Sequence, residues 1–174
     1  MFRFLTLLFW IFSITFGREV SDFPFHLPEC LKVSFIQRQE FEDSVDIYSG
    51  VLIVNGTKKE ILYLTQPPFK VVYDGTYIRM GYEGEDFQTF DAKDYPNPIL
   101  DILLNIDNLR KVFKVKRCSS NWCILEPKPP LNEYLEWVKV YFSNGRIEEI
   151  TAEGGDYGKV EITVNGWIVC SPKR

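Results

Sequence analysis

Two hydrophobic patterns divide the chain. From Phe4 to Phe16 (FLTLLFWIFSITF) no position is charged, Arg3 precedes the run, and Thr15-Phe16-Gly17 sets small residues at the −3 and −1 positions of a cut after Gly17. That is the layout of a secretory signal peptide, and the run falls short of the about 20 apolar residues that a membrane-spanning helix needs. The predicted organisation is a cleaved leader over residues 1–17 and a single exported domain over residues 18–174, long enough to bury a core.

From Leu31 onward the dominant period is two. Leu31, Val33 and Phe35 alternate with Lys32 and Ser34, and near the other end Val160, Ile162 and Val164 alternate with Lys159, Glu161 and Thr163. Such alternation gives strands with one buried and one wet face. Asn55-Gly56, Asp74-Gly75 and Asn144-Gly145 read as hairpin turns, while Pro67-Pro68 and the segment Pro127 to Pro130 interrupt pairing. The strand from Val45 to Val54 carries Gly50 as an expected bulge. Further strands are predicted over 60–65, 69–73, 76–82, 87–90, 112–117, 122–126, 134–142, 146–152, 159–164 and 167–170. About ten or eleven strands at regular spacing point to a mainly β fold, a curved antiparallel sheet or open barrel.

One stretch breaks this period. Asp94 to Pro98 stops the sheet, and Ile99, Ile102 and Leu103 then fall at helical spacing, with Asn97 placed to cap and Pro98 at the first helical position. A short amphipathic helix cannot tightly seal a sheet of this size. An apolar cavity between sheet and lid is the expected geometry.

Composition narrows the function. The formal net charge of −4 disfavours nucleic acid and anionic membrane surfaces as partners. Cys30, Cys118, Cys123 and Cys170 form an even set that suits an oxidising compartment. Four cysteines allow three pairings. Cys118–Cys123, across a short loop between two strands, with Cys30–Cys170, tying the domain ends, is the favoured one; four buried free thiols are the alternative. The spacing is not that of a zinc site.

Catalytic constellations do not emerge. The single histidine, His26, sits in a Pro-flanked segment with no G-x-S-x-G elbow, and the acid clusters Asp43/Asp46, Glu83/Glu85/Asp86 and Glu148/Glu149 read as solvated turns and polar strand faces. Phosphate-binding and dinucleotide fingerprints are missing, so the reading is of a non-enzyme without metal or cofactor. Aromatic residues instead make up 16% of the chain. Phe35, Tyr48, Tyr63, Phe69, Tyr73, Tyr77, Trp137 and Phe142 are candidates for an inward face, lining either an ordinary core or an apolar pocket.

The order of these features resembles LolA, the periplasmic carrier of outer-membrane lipoproteins in Gram-negative bacteria. Val33-Ser34-Phe35-Ile36-Gln37 is similar to that family's S-F-x-Q opening strand, Ser49-Gly50-Val51-Leu52 to its next strand, and Asp74-Gly75 to its D-G turn. Gln66-Pro67-Pro68-Phe69 stands where its R-P-x-x-F segment lies, Asn97-Pro98-Ile99-Leu100 resembles the start of its lid helix, and Leu135 to Val164 resembles its closing meander.

The resemblance implies a half-open antiparallel barrel with a helical lid over an apolar cavity, here a single lipoprotein-carrier-like domain over residues 18–174. It implies a monomeric carrier that shields acyl chains, takes its cargo from an inner-membrane ATP-driven complex and passes it to an outer-membrane acceptor lipoprotein. Ile99, Ile102 and Leu103 would face the cavity from the lid, and Phe35, Phe69 and Tyr77 from the sheet. Gln66 occupies the position of an Arg that holds the family's lid, so the latch is expected to be weaker or different. The span from Pro67 to Asp74 is short for the family, and Pro24 and Pro28 leave little room for an N-terminal lid helix. A lipid-binding sensor or adaptor of the same fold, and a glycan-binding β-sandwich, are the competing readings.

Overall fold

The computed structural model describes residues 28–95, 97–106 and 109–170. The leader over 1–17, Pro24 and His26 lie outside the described residues. The strands are β1 (Cys30–Glu40), β2 (Val45–Asn55), β3 (Lys58–Tyr63), β4 (Phe69–Tyr73), β5 (Tyr77–Tyr82) and β6 (Gln88–Asp91), followed by β7 (Phe113–Cys118), β8 (Trp122–Pro127), β9 (Trp137–Ser143), β10 (Arg146–Gly154) and β11 (Gly158–Val169). They form one 11-stranded antiparallel sheet in the order β6-β5-β4-β3-β2-β1-β11-β10-β9-β8-β7. Two meanders therefore run outward from the centre, where the first and last strands pair from Leu31↔Val169 to Glu40↔Lys159.

The topology itself generates the lid. β6 and β7 are consecutive in the chain yet form opposite edges of the sheet, which stays open rather than closing into a barrel. The connection between them must cross from one edge to the other. It does so with a 3-10 turn (Ala92–Asp94), helix α1 (Pro98–Leu104) and a second 3-10 turn (Leu109–Lys111). The Asn97 side chain starts the helix as predicted, its Oδ1 accepting from the backbone N–H of Ile99 and of Leu100, both at 3.1 Å.

Alternation holds along β1 and β9 and through the first half of β11, while β4 and β10 bury consecutive residues. On β1 the inward residues Leu31, Val33 and Phe35 are buried; on β11 Val160 and Ile162 are. They share one core with Leu100, Ile102, Leu103 and Leu104 of the helix and with Ile106 and Leu109 beyond it. Leu131 and Leu135, from the connection between β8 and β9, complete the cover. So short a helix seals most of the inner face because its flanking turns contribute as well.

Three local expectations are corrected. Gly50 is not a bulge: β1 and β2 keep continuous register past it, and a Cβ there would lie 2.4 Å from the Phe35 ring. Glycine is required because the ring packs on the bare backbone. The strand expected over 134–142 begins only at Trp137, since a 3-10 turn (Leu131–Glu133) precedes it and Leu135 is buried in the core. The two strands expected at the end are one, β11; a register shift opposite Ser34/Phe35 absorbs Asn165.

Both favoured disulfides form, Cys30–Cys170 and Cys118–Cys123, and no described cysteine is free. The first closes the strand pair at the centre of the sheet across a sequence separation of 140, and the second closes the β7–β8 hairpin across a separation of 5. Loop-closure entropy alone gives the longer link about 5 kcal/mol and the shorter about 2 kcal/mol.

Candidate functional site

The inner face of the sheet and the lid that lies on it form the candidate site. Ile102 and Leu103 point from α1 into the shared core and are almost fully buried, while Ile99 is half-buried against it. Phe35 lies in the same core from the sheet side. A buried polar contact ties the lid helix to the sheet. The Nζ of Lys59, on β3, donates to the carbonyl oxygen of Leu104 at the C-terminal end of α1. Lys59 is only 3% exposed and also stands 5.7 Å from the centre of the Tyr73 ring. The last carbonyls of a helix have no partner within it, so a cation at this point satisfies one of them.

Between the β4–β5 turn, the end of the lid helix and the β8–β9 connection, a cavity of about 510 Å³ remains open. Its apolar lining comes from Tyr73, Ile78, Leu104, Val112 and Leu131, and its rim carries Asp91, Lys93, Lys111 and Lys128. Lys93 pairs with Asp91 at 3.2 Å, and this contact raises the Lys93 pKa above its ordinary value. Lys128 Nζ donates to the Arg110 carbonyl at 2.7 Å. The cavity adjoins the Lys59–Leu104 contact through Leu104, so it lies at the end of the lid that is pinned. Its volume falls in the range of about 300–1,000 Å³ typical of ligand sites.

The rest of the inner face turns aromatic and polar toward the β1–β2 hairpin. Tyr63 is edge-on to Phe35 at 6.0 Å and to Tyr48 at 6.2 Å, and its hydroxyl donates to Gln37 Oε1 at 3.2 Å. Burial, and secondarily the neighbouring Tyr48 phenol, push the Tyr63 pKa well above the usual tyrosine value. Tyr48 is raised too, by burial and then by the Asp46 carboxylate beside it.

The sequence-predicted residues divide. Phe35, Ile99, Ile102 and Leu103 meet in one core, and Phe69 sits half-buried among Tyr63 and Tyr82. Tyr77 does not join them: it is 48% exposed because its neighbours Ile78 and Met80 take the core-facing positions of β5. Gln66 is exposed in the connection between β3 and β4. The visible lid contact runs through Lys59 instead. Lys59, Gln37 and Gln39 were missed by sequence reasoning, although the parity of Ile61 and Tyr63 sets Lys59 on the buried face of β3.

Metal chemistry finds no cluster of three or more His, Cys, Asp or Glu side chains among the described residues. On the outer face, the ring faces of Trp122 and Tyr141 are covered by Lys139 Nζ at 4.7 and 4.5 Å, with Arg117 at 5.7 Å from Trp122.

No family model and no curated protein matches the sequence. The fold does match solved structures. The crystal structure of LolA superfamily protein NE2245 from Nitrosomonas europaea is similar over 86% of this chain and 90% of that one, with a TM-score of 0.52 at 10% identity. The fold is LolA-like. Weaker similarities are to the MucA/MucB complex of Pseudomonas aeruginosa (TM-score 0.45, 12% identity, 83% of this chain and 53% of that one) and to LprF from Mycobacterium bovis (TM-score 0.39, 9% identity, 83% and 89%). A single open sheet under a lid is not the two-sheet sandwich of the glycan-binding reading.

Proposed function

We propose that this LolA-like protein is a periplasmic carrier that shields the acyl chains of lipoproteins beneath its lid and moves them from the inner to the outer membrane. The observation that carries this reading is the pairing of an apolar inner face with a cover made of Leu and Ile side chains and pinned by one buried lysine. Each acyl methylene buried is worth about 0.8 kcal/mol, so a multiply acylated anchor cannot leave a membrane unaided. A lid whose own side chains fill the face lets lipid replace Leu and Ile. The swap is apolar for apolar, its net free energy is small, and the cargo can be handed on. The cavity beside Leu104 is the natural point of entry, because its partly apolar wall includes the last residue of the lid helix. Two disulfides suit an oxidising compartment.

The partners in this reading are acylated lipoproteins, an inner-membrane ATP-driven releasing complex and an outer-membrane acceptor. The test is mass spectrometry of organic extracts and co-purifying proteins from material isolated out of its own compartment. Near-stoichiometric acylated lipoprotein supports the carrier. Free phospholipid alone turns the reading toward a lipid-binding sensor or adaptor of the same fold. An empty protein that also refuses a fluorescent fatty acid overturns it.

A further inference from the structure

Along β1 the inward positions change character. Leu31, Val33 and Phe35 are apolar, whereas Gln37 and Gln39, equally buried, carry amides. Across from them on β2, Tyr48 pairs with Gln37 and Asp46 with Gln39, so all four share the inner face. A chamber of about 190 Å³ opens at this end, lined by Gln37, Tyr48, Tyr63, Thr65, Phe69 and Tyr82, with no lysine, arginine or lid residue among them.

Four adjacent strands, β2 to β5, supply one ring each. Tyr63 and Phe69 form the floor, centroids 6.4 Å apart and planes tilted by 40°. Tyr48 stands against Tyr63 at 6.2 Å with planes 77° apart, and Tyr82 against Phe69 at 5.0 Å and 64°. Burial first, then the neighbouring Asp46 carboxylate and last the Tyr82 phenol raise the Tyr48 pKa above its ordinary value. Tyr82 is 42% exposed, which leaves the chamber open to solvent.

We propose that this aromatic chamber binds a quaternary ammonium group, as carried by choline. Ring faces present negative charge to a cation within about 6 Å, and a trimethylammonium needs enclosing π-faces rather than hydrogen-bond acceptors. A primary ammonium would need three acceptors. Here Gln37 Oε1 already accepts from Tyr63 and Thr65 Oγ1 donates to the Pro67 carbonyl, while the Asp46 carboxylate lies one inward position beyond Tyr48 on β2, outside the lining but on the same face. The same carboxylate disfavours anions. The site stands apart from the acyl-carrier reading, since choline can come free or as a lipid headgroup.

The experiment is calorimetric titration of the purified protein with choline and with its neutral carbon isostere dimethylbutanol, then with short-chain phosphatidylcholine and the matching phosphatidylglycerol. Choline, phosphatidylcholine or both are expected to bind, with choline about tenfold tighter than the isostere. Tyr82→Leu is expected to remove most of that preference, Tyr82→Phe to keep it, and Asp46→Asn to weaken it, with melting curves confirming that each variant folds. Phosphatidylcholine binding that depends on Tyr82, without free choline binding, upholds the site with lipid as the source. Equal affinity for choline and isostere, binding indifferent to Tyr82→Leu, or no binding of either choline compound overturns it. Loss of acyl cargo with choline binding intact would count against the carrier reading alone.

Discussion

The ammonium of Lys59 donates to the carbonyl of Leu104, 45 positions further along the chain, and so joins the third strand to the last residue of the lid helix. Both partners are buried. A lysine is rarely hidden unless paired, and this one is held between a helix end and the Tyr73 ring. The contact sits beside the open cavity, whose wall includes Leu104, so a shift of the lid end would reshape that wall.

Lys59→Met keeps an unbranched apolar stem, one atom shorter, and removes the donor. Leaving the Leu104 carbonyl unpaired costs about 1–3 kcal/mol, felt by the lid before the sheet. Backbone amides from Ile99 to Leu104 should then exchange about 5- to 150-fold faster in a hydrogen-exchange measurement, with the central β1–β11 pair little changed. Equal lid protection in both proteins would count against Lys59 as the latch.

Gly50 and Phe35 form a second such pair. A Cβ on residue 50 would meet the ring of Phe35 at 2.4 Å, inside any allowed contact. Gly50→Ala is expected to cost about 1–3 kcal/mol through overpacking. Phe35→Leu frees that space, so the double variant should lose less than the sum of the two single losses in denaturant titrations. Strict additivity would mean that the ring does not need the missing Cβ.

Much of the fold was legible because strand alternation and turn chemistry repeat the same message. Asn144-Gly145 adopts positive φ at both residues, 50° and 73°, the hairpin geometry its sequence specifies. The lid helix was legible from its cap and its apolar spacing. The site was less so. Residue type suggested that Tyr77 faces inward, but Ile78 and Met80 outcompete it for the buried face. Motif order points to Gln66 as a latch, and the structure places that side chain in the exposed β3–β4 connection. The contact that reaches the end of the lid helix comes from Lys59, which follows a hairpin turn and a second lysine and so reads as solvated. Its partner lies on another element, and no local pattern encodes a contact 45 residues away.

Tyr63 links the aromatic end of the face to pH. Burial and the Tyr48 neighbour raise its pKa above the ordinary 10.0, which favours the protonated form in the folded state. Its contribution is therefore complete below pH 10 and is lost as pH climbs beyond 10 toward the folded value. Tyr63→Phe removes that titration and also the hydroxyl that Gln37 accepts from. The variant should be less stable than the parent near neutral pH, by about 1–3 kcal/mol, yet lose less stability between about pH 8 and pH 11. Denaturant midpoints across that window check it; parallel pH profiles would show that Tyr63 titrates no differently when folded.

Ile102 tests whether lid and cargo compete for the same space. Its side chain is 1% exposed and helps the closed lid fill the inner face. Ile102→Ala should destabilise the empty protein by about 2–5 kcal/mol, the usual range for such a truncation. If acyl chains replace lid side chains, the loaded state does not use Ile102 and is not weakened equally. The equilibrium then shifts toward loading, since a ligand gains whatever the competing closed state loses. A fluorescent fatty acid should bind the variant severalfold tighter, measured where both proteins remain folded. Unchanged or weaker binding would place the acyl chain elsewhere, because a site outside the lid has no reason to respond to three carbons lost beneath it.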